Sequence, residues 1–511
     1  MEKATYFDWC QDVQIIYGAR CAAIYDFRTE DVYSLNAAAT QLAYYIDQRL
    51  PVEEIDEKHK SFFEWLQNLD LIKLSDALVV HYKDYVVQEQ HSLDFLWLEV
   101  GGNCNLGCNH CYADAQNPVL YNRKALPLPS YTMSLQDWER VIQQASELGC
   151  REVQFTGGES LLYHDLLKLI DFAIGKDFNF IEVFSNGMLL TEGKVKELSE
   201  RNVHLAVSLH GTQAEIHDAV TGLRGSFEHT LKGLKRAKEH AIPVRIAGVA
   251  VGANQYDIIN LPVFANSLGF SEVRIDVIRN VGSGADPALM PSNPEVLSKK
   301  WLTTPVFEAS RIDYEHNRFW NPCWAGKLSI SSTGEVLPCI MGRNEVIGNV
   351  KDQSLQEIIV SPNLMSRWRI TKDQIEICKD CEYRYVCGDC RPLAIAKGNL
   401  HGSMPRCTYN PYKGKWALLD GLEPELSNDD LEPTIELVEK PSLNNDLKFE
   451  NIEAVDKKEI KRIEKLPEKS NRPNPNTDKK RKNRFKKEVI QPIEIKKKRS
   501  NSIKFDCDPD R

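Results

Sequence analysis

Cysteine is the residue type whose spacing in this sequence most clearly predicts chemistry. Three cysteines lie in the segment CNLGCNHC, directly after the strand-like run FLWLEV: Cys104, Cys108 and Cys111. Three thiolates in one loop can ligate three irons of a 4Fe–4S cube and leave the fourth iron open. A structural zinc ion would need a fourth ligand nearby, and the one local candidate, His110, directly precedes Cys111, which strains joint chelation. The segment therefore favours an open-iron cluster over zinc.

Seven further cysteines occupy the C-terminal half of the chain: Cys323, Cys339, Cys378, Cys381, Cys387, Cys390 and Cys407. In a chain without a secretory signal, clustered thiols indicate metal ligands rather than disulfides. Their spacing alone permits either a pair of zinc ribbons or iron–sulfur clusters. The other four cysteines are scattered along the chain, and we expect them to be ordinary small side chains: Cys10, Cys21, Cys150 and Cys507.

The composition limits the class of protein. Of the 511 residues, 42% are hydrophobic and 27% are charged, which is typical of a globular protein with two to four domains. The net charge of −9 disfavours a nucleic-acid partner. The first residues show no signal peptide, and no run of about 18 apolar residues exists. We therefore expect a cytoplasmic location without membrane contact.

Strand-like and helical patterns alternate between residues 95 and 280, and these elements position the first three cysteines. Six strand-like runs, FLWLEVG, EVQFTG, FIEVFSNG, HLAVSLHG, PVRIAGVAVG and EVRIDVI, are separated by helical patterns such as SLQDWERVIQQASELG. This alternation predicts parallel βαβ units. Six repeats suit an α/β fold of the partial (β/α)6 TIM-like barrel type, whose functional loops follow the strands.

The flanking regions have other characters, and they divide the chain into four parts. Residues 1–90 predict a small winged-helix-like α+β unit, with two strands in CAAIYDFRTEDVYSLN and two amphipathic helices after them. The barrel then covers residues 91–285, and the second cysteine group lies in residues 286–420. Residues 421–511 carry acidic and basic runs with too few apolar residues for a core, so we predict a disordered charged tail.

The C-x3-C-x2-C motif after a first strand resembles that of the radical S-adenosylmethionine (SAM) superfamily. The resemblance implies that Cys104, Cys108 and Cys111 hold a 4Fe–4S cluster whose open iron binds SAM. It also implies reductive cleavage of SAM to a 5′-deoxyadenosyl radical, with electrons from an external flavodoxin- or ferredoxin-type donor.

The same resemblance assigns contacts with SAM to the ends of the later strands. Gly157, Gly158 and Glu159 would hold the amino group, because glycines allow the backbone to approach a ligand and a carboxylate suits an ammonium. Ser185 and Asn186, together with Ser208, resemble the ribose contacts. Arg224 resembles the residue that pairs with the carboxylate, for which a planar guanidinium is a fitting partner.

The second cysteine group resembles the SPASM domain of radical SAM enzymes that modify peptides and proteins, although its last pair has an x2 spacing where many members have x3. The resemblance implies two auxiliary 4Fe–4S clusters. Cys378, Cys381, Cys387 and Cys407 would hold an outer cluster, and Cys323, Cys339 and Cys390 an inner one. Since the inner set has three cysteines, we predict an open iron there.

Residues 15–85 resemble the PqqD-like recognition element of ribosomal peptide (RiPP) maturation, which binds a leader peptide by adding it as a β-strand. A DNA-binding winged helix is the structural rival, but the segment's acidic excess disfavours a phosphate surface. Together these resemblances predict a maturase that abstracts hydrogen from a ribosomal precursor peptide and installs a C–C, C–S or ether cross-link.

Two other functions remain open from the sequence. One is a radical SAM/SPASM enzyme that oxidises a folded protein or a small molecule, as in sulfatase maturation or cofactor biosynthesis. The other is a zinc-scaffolded binding protein that performs no chemistry.

Overall fold

The N-terminal residues form an α+β unit in the computed structural model, which describes residues 5–76, 91–115, 132–297, 305, 307–417 and 433–438. The unit contains five strands and two α-helices: β1 (Tyr6–Trp9), β2 (Val13–Tyr17), β3 (Ala22–Asp26), β4 (Asp31–Leu35), α1 (Ala37–Asp47), α2 (Lys60–Asn68) and β5 (Ile72–Ser75). Strands β2, β3 and β4 form an antiparallel sheet, and β1 pairs with β5. Both predicted helices and the predicted β3–β4 hairpin are present.

Six parallel strands follow and form the barrel sheet: β6 (Phe95–Gly101), β7 (Glu152–Gly157), β8 (Phe180–Ser185), β9 (His204–Ser208), β10 (Val244–Ala250) and β11 (Val273–Val277). They are hydrogen-bonded in chain order, from β6 at one side to β11 at the other. Each strand lies in one of the six runs that the sequence indicated. The prediction of an α/β fold with a parallel barrel sheet is therefore confirmed.

The barrel helices connect successive strands: α3 (Leu135–Glu147), α4 (Leu166–Ile174), α5 (Glu192–Ser199), α6 (Ala214–Thr221), α7 (Ser226–Glu239) and α8 (Leu261–Leu268). Helix α3 begins with a reciprocal capping box, in which Ser134 and Asp137 each accept a hydrogen bond from the other's backbone N–H. Its buried face carries Trp138, Val141 and Ile142, which pack toward the sheet because apolar residues recur at helical spacing.

The cysteine-rich region contains short elements: α9 (Pro294–Val296), α10 (Arg311–Phe319), β12 (Lys327–Ile330), β13 (Glu335–Leu337), β14 (Gly348–Asn349), α11 (Leu355–Ile359), α12 (Pro362–Trp368), α13 (Arg391–Ile395), β15 (Tyr409–Asn410) and β16 (Lys415–Trp416). Strand β12 pairs in parallel with β6, and β13 and β14 continue the sheet to nine strands. The cysteine-rich region thus shares its main sheet with the barrel, where the sequence predicted a separate domain.

The sheet of the N-terminal unit is completed by a strand from far along the chain, β17 (Ile435–Leu437). It pairs antiparallel with β4, with Ile435 opposite Leu35. This differs from the prediction of disorder for residues 421–511. The acidic composition concealed a short run, TIELV, that can form a strand once an edge is available to pair with it. The rest of the predicted tail lies outside the described residues.

The N-terminal sheet is buried on both faces. Helices α1 and α2 cover one face, and the cysteine-rich region covers the other. Across this second contact the Tyr25 hydroxyl donates to the Glu382 carbonyl oxygen at 2.8 Å, and the hydroxyls of Ser34 and Tyr383 lie 2.8 Å apart. The N-terminal unit is therefore docked against the cysteine-rich region through an apolar core with internal hydrogen bonds.

None of the α-helices in the described part of the chain is long and apolar enough to cross a membrane.

The contact between the two regions generates a stability prediction. Replacing fully buried Tyr25 with phenylalanine (Tyr25→Phe) removes a hydrogen bond and leaves the Glu382 carbonyl oxygen buried without it. The expected cost is about 1 kcal/mol of unfolding free energy. The matched control is Tyr256→Phe, since Tyr256 is 72% exposed and should give no change. Thermal unfolding of the full chain measures both, and equal melting temperatures for both variants would contradict the prediction.

Candidate functional site

The first cysteine loop follows β6 at the end of the barrel where the parallel strands terminate. It is held by the end of α6, because the Gly107 and Asn109 N–H groups donate to the Thr221 and Val220 carbonyl oxygens at 2.9 and 3.3 Å. Gly222 follows that helix with φ +71, and a Cβ there would lie 2.6 Å from the Gly107 oxygen. Only glycine fits this close approach without displacing the loop.

The three thiols of this loop are buried close together. Burial raises the pKa of Cys104 to about 11, and it also raises the pKa values of Cys108 and Cys111. The charges of Cys104 and Cys111 raise the pKa of Cys108 further, so the three groups are electrostatic neighbours. The Leu106 and Ala115 N–H groups each donate to a thiol sulfur at 3.4 Å. Sulfur donors that receive backbone hydrogen bonds fit an iron–sulfur cluster.

The two glycines after β7 pack against the cysteine loop. The Gly158 N–H donates to the Gly101 oxygen at 2.8 Å, and the Glu159 N–H donates to the Asn103 oxygen at 2.9 Å. A Cβ on Gly158 would lie 2.2 Å from that Asn103 oxygen, and one on Gly157, where φ is +132, would lie 2.4 Å from the Gly101 oxygen. The glycines are therefore needed to join two strand-end loops.

Glu159 organises the next strand end. Its carboxylate is buried and accepts hydrogen bonds from the Ser185 hydroxyl at 2.8 Å, the Leu161 N–H at 2.9 Å and the Asn186 N–H at 2.8 Å. Burial raises its pKa, and these donors oppose the shift. The Asn186 side-chain amide in turn donates to the Asn105 side-chain oxygen at 2.7 Å, within the cysteine loop. Sequence reasoning had assigned Glu159 an ammonium contact alone, whereas three protein donors already hold it.

The remaining two predicted SAM contacts have different surroundings. Ser208 is the last residue of β9, at the same end of the sheet as the cysteine loop. Arg224 is exposed in the turn between α6 and α7, two residues after the glycine that contacts the loop. The structure thus brings Gly157, Gly158, Glu159, Ser185 and Asn186 into one connected network with the cysteine loop, and it leaves Arg224 at its rim.

Three buried histidines beside this loop were not found as a group by sequence reasoning. The ring of His210 lies 4.7 Å from that of His110 and 5.8 Å from that of His217. Burial lowers the pKa values of His110 and His217 to about 4, and burial also lowers the pKa of His210 well below its usual value, so the rings are neutral. The signal was weak because the three residues are scattered over more than a hundred positions.

Four cysteines of the second group line one cavity: Cys378, Cys381, Cys387 and Cys407. Burial raises the pKa of Cys387 to about 12, and the charges of Cys378 and Cys407 add to the shift. Tyr383, Tyr409 and Trp416 line other parts of the wall. Four thiols around one cavity are the number of ligands that a 4Fe–4S cluster needs. They are the four residues that the sequence assigned to the outer cluster.

The backbone that leads into this cavity is strained. Ile377 has φ +67 and ψ −47, and the Cys378 N–H donates to the Glu376 oxygen at 2.7 Å across it. Such a γ-turn with positive φ is rare for a β-branched residue and persists only where the surroundings impose it. The turn aims Cys378 into the cavity.

The other three cysteines of the second group form a separate buried set: Cys323, Cys339 and Cys390. Burial raises the pKa of Cys323, and the charges of Cys339 and Cys390 raise it further. Arg279, which follows β11, faces the same thiols. Although burial lowers its pKa, the charges of Asp276 and of these thiols raise it, and the net shift is upward. The inner set therefore lies beside the barrel.

A buried ion network joins the two sets. Asp389 accepts hydrogen bonds from Lys372 at 3.3 Å, from Arg391 at 2.6 Å through two nitrogens, and from the Asn321 amide at 2.8 Å. The Asn321 side-chain oxygen accepts from the Cys323 N–H at 3.0 Å. Lys372 also lines the outer cavity, where its cationic group lies beside the thiols. No set of three histidine, cysteine or acidic side chains among the described residues is arranged to hold a single metal ion.

Comparisons with known proteins define the class. Residues 98–257 match the radical SAM superfamily, and residues 323–382 match the SPASM family, described as an iron–sulfur cluster-binding domain. The protein is an enzyme with a radical SAM domain and a SPASM domain, and its cofactors are iron–sulfur clusters and S-adenosylmethionine.

Several curated proteins are similar to most of the chain. The antilisterial bacteriocin subtilosin biosynthesis protein AlbA of Bacillus subtilis is 26% identical over 76% of this chain and 90% of its own length. The PqqA peptide cyclase of Gluconobacter oxydans is 28% identical over 65% of this chain and 95% of its own. The AdoMet-dependent heme synthase of Oleidesulfovibrio alaskensis is 27% identical over 62% and 87%. The relatives thus include enzymes with different substrates.

Among solved structures, Streptococcus suis SuiB bound to the precursor peptide SuiA matches with 16% identity and a TM-score of 0.47, over 78% of this chain and 98% of its own. The anSMEcpe structure with bound AdoMet matches with 17% identity and a TM-score of 0.45, over 63% and 93%.

The glycine contact after β7 generates a prediction about SAM cleavage. In Gly158→Ala the new methyl group would overlap the Asn103 oxygen and displace the cysteine loop, because the obstacle is backbone rather than a flexible side chain. We expect 5′-deoxyadenosine formation under dithionite to fall by at least about tenfold, equivalent to roughly 1.4 kcal/mol. The control is Gly193→Ala in α5, where a Cβ meets no atom within 4 Å. Wild-type product formation by Gly158→Ala would show that the contact between Gly158 and the cysteine loop is not needed for SAM cleavage.

The buried lysine generates a prediction about reduction potential. In Lys372→Met the outer cavity loses a buried positive charge, so the reduced cluster would be less favoured. The expected shift is roughly 100 mV toward negative potential, from a Coulomb interaction of about 2–4 kcal/mol. Lys372→Arg retains the charge and should shift little, and exposed Lys379→Met, next to a ligand, should be screened by water. A redox titration followed by EPR measures all three, and an unchanged potential in Lys372→Met or equal shifts for the two methionine variants would contradict an effect of the buried charge.

Proposed function

We propose that this radical SAM/SPASM enzyme modifies a ribosomally made precursor peptide and joins two of its side chains by an oxidative cross-link. The N-terminal unit would bind the leader segment of that peptide as an added β-strand. An external flavodoxin- or ferredoxin-type protein would supply the electron.

The three thiol groups have separate tasks in this proposal. Cys104, Cys108 and Cys111 would hold the cluster that binds SAM, and the two groups of the SPASM region would hold the auxiliary clusters. When bound, the barrel cluster would supply one electron to split SAM into methionine and a 5′-deoxyadenosyl radical. The target carbon would lose one hydrogen atom to that radical, and the new bond would release a proton and one further electron. Auxiliary clusters held by the SPASM thiols would accept that electron.

The chain's own residues position and shield this chemistry. Glu159 holds the strand ends that carry Ser185 and Asn186 against the cysteine loop. The neutral rings of His110, His210 and His217 fill the adjoining interior and exclude bulk water from it, which protects a radical from competing reactions.

The observation that carries the proposal is the docking of the N-terminal sheet on the SPASM region. Tyr25 and Ser34 bond directly to Glu382 and Tyr383, which border Cys381 of the outer group. A peptide bound along this sheet would therefore be held at a defined position relative to the clusters. The similarity to a subtilosin biosynthesis protein and to a PqqA peptide cyclase supports a peptide substrate.

Electrostatics support a peptide rather than a nucleic acid. The N-terminal unit pairs several of its basic groups internally: Arg28 with Asp26, Arg49 with Asp8, and Lys60 with Glu57. These neutralised cations leave no continuous basic surface among them for a phosphate backbone.

The test uses the full chain, anaerobically reconstituted, with the precursor peptide encoded by a short neighbouring reading frame. We expect mass spectrometry to show the loss of two hydrogen atoms per cross-link, with stoichiometric 5′-deoxyadenosine. A peptide without its leader should react at least about tenfold more slowly. Binding of the leader tethers the rest of the peptide, so its entry into the active site becomes an intramolecular step. Cys104→Ala should abolish the reaction, and Cys150→Ala, which alters a cysteine outside the three groups, should retain it. An equal rate with the leaderless peptide would disprove leader recognition.

The similarity to a heme synthase keeps a small-molecule oxidation as the second candidate. It would be supported if the reconstituted enzyme cleaved SAM normally, left every candidate precursor peptide unchanged and oxidised a tetrapyrrole.

A further inference from the structure

The edge of the N-terminal sheet is occupied by the chain itself. Residues 433–438, here called the resident strand, lie antiparallel along β4. The Asn36 N–H donates to the Thr434 oxygen at 3.3 Å, and the Val438 N–H donates to the Val32 oxygen at 2.8 Å. Hydrogen-bonded pairs alternate in an antiparallel ladder, so Glu436 and Ser34 form the pair between these two. The resident strand thus uses the backbone groups that any added strand would need.

The opposite edge of the sheet, β2, contacts the SPASM region at its C-terminal end. The Ala19 N–H, just beyond β2, donates to the Asp380 oxygen at 2.7 Å, and the Arg384 guanidinium donates to the Tyr17 oxygen at 2.9 Å. A Cβ on Gly18 would lie 2.9 Å from the Glu382 nitrogen. Within the described part of this sheet, β4 is the edge that already carries an added strand, whereas SPASM contacts restrict access to the end of β2.

The resident strand is anchored mainly by one side chain. Ile435 is 7% exposed and belongs to the N-terminal core, next to Leu35 and the residues of α1. Leu437, two residues along and on the same face, is 53% exposed. Thr434 makes a further contact, since its N–H donates to the Asn36 side-chain oxygen at 3.2 Å. One buried side chain and a short ladder make a strand that can be exchanged.

We infer that the resident strand is an internal competitor for the leader-binding edge, and that a precursor peptide docks by displacing it. This rests on the proposed function, and it specifies the partner's chemistry. The docking segment is an extended peptide with an aliphatic residue that takes the place of Ile435 and a solvent-facing residue two positions later. The 15 residues between Ala417 and the resident strand keep the competitor tethered, so its effective concentration at the edge is high.

Displacement of the resident strand should affect the surroundings of the outer cysteine group. Ser34, opposite Glu436, shares a hydrogen bond with Tyr383, and Val438 packs against the core between the sheet and the SPASM region. The strand that occupies β4 therefore pairs with a residue, Ser34, that contacts the wall of the outer cavity at Tyr383. We therefore expect exchange of the resident strand for a leader to affect the Ser34–Tyr383 contact at the outer cavity.

The experiment measures the competition directly in the full, cluster-containing chain. The probe is a fluorescent synthetic peptide with the sequence of residues 430–441, and its affinity is followed by anisotropy. Ile435→Asp, which places a charge in the apolar core position, should release the resident strand and tighten probe binding by about tenfold or more. Leu437→Asp is the matched control, with the same change two residues away on an exposed side chain, and its affinity should equal that of the wild type. Glu436→Pro, which removes a ladder N–H, should behave like Ile435→Asp.

Hydrogen exchange of the same proteins supplies the second measurement. The segment 31–36 should exchange faster in Ile435→Asp and in Glu436→Pro than in the wild type, and saturating probe should restore its protection. Unchanged iron content and 5′-deoxyadenosine formation would show that the variants remain folded, because the resident strand lies outside the SAM site.

The outcomes separate this inference from the proposed function. Equal probe affinity in all four proteins, or unchanged exchange in segment 31–36, would overturn the inference whether or not the enzyme modifies a peptide. If the resident strand is released but no leader-dependent modification occurs, the inference of an internal competitor stands and the proposed function is wrong.

Discussion

The grouping of ten buried or half-buried thiols into three separate sets is the constraint on which the rest of this structure depends. A buried thiol resists ionisation, and neighbouring thiolates increase that resistance, as the raised pKa values of Cys108, Cys323 and Cys387 show. Only a positively charged partner inside each group can stabilise several thiolates at once. Iron–sulfur clusters meet this requirement, so their binding is coupled to the folding of the loops that carry the cysteines.

The parallel sheet of the barrel brings residues that are far apart in the sequence close together in space. Residues at the ends of β6, β7 and β8 are about 80 positions apart from first to last, and yet a parallel sheet brings all three ends to one edge. Glycines at these ends allow backbone-to-backbone contact, and Glu159 connects the second and third loops. The same residues that the family resemblance assigns to SAM thus also build the walls of its site.

The strands, the main helices and the grouping of the cysteines could be predicted because each depends on a local pattern. Periodicity revealed β6 to β11 and α3, and the resemblance to the SPASM domain separated Cys323, Cys339 and Cys390 from the outer four. Long-range pairing has no such local signal. The position of β17 depends on an edge 400 residues earlier, and the neighbours of Lys372 and His210 depend on the fold of other segments. Those features could be recognised only from the three-dimensional structure.

The order of the three groups in space also argues for a direction of electron flow. The inner thiols face Arg279, two residues after the last barrel strand, so the inner group adjoins the barrel. Asp389 links the inner group, through Asn321, to Lys372 at the outer cavity. The outer cavity in turn is walled by Tyr383, which touches the N-terminal sheet. With clusters in these groups, as proposed, an electron that leaves the substrate at the barrel mouth would meet the inner group first, and the buried cation of Lys372 would favour its transfer to the outer group, because positive charge stabilises a reduced cluster.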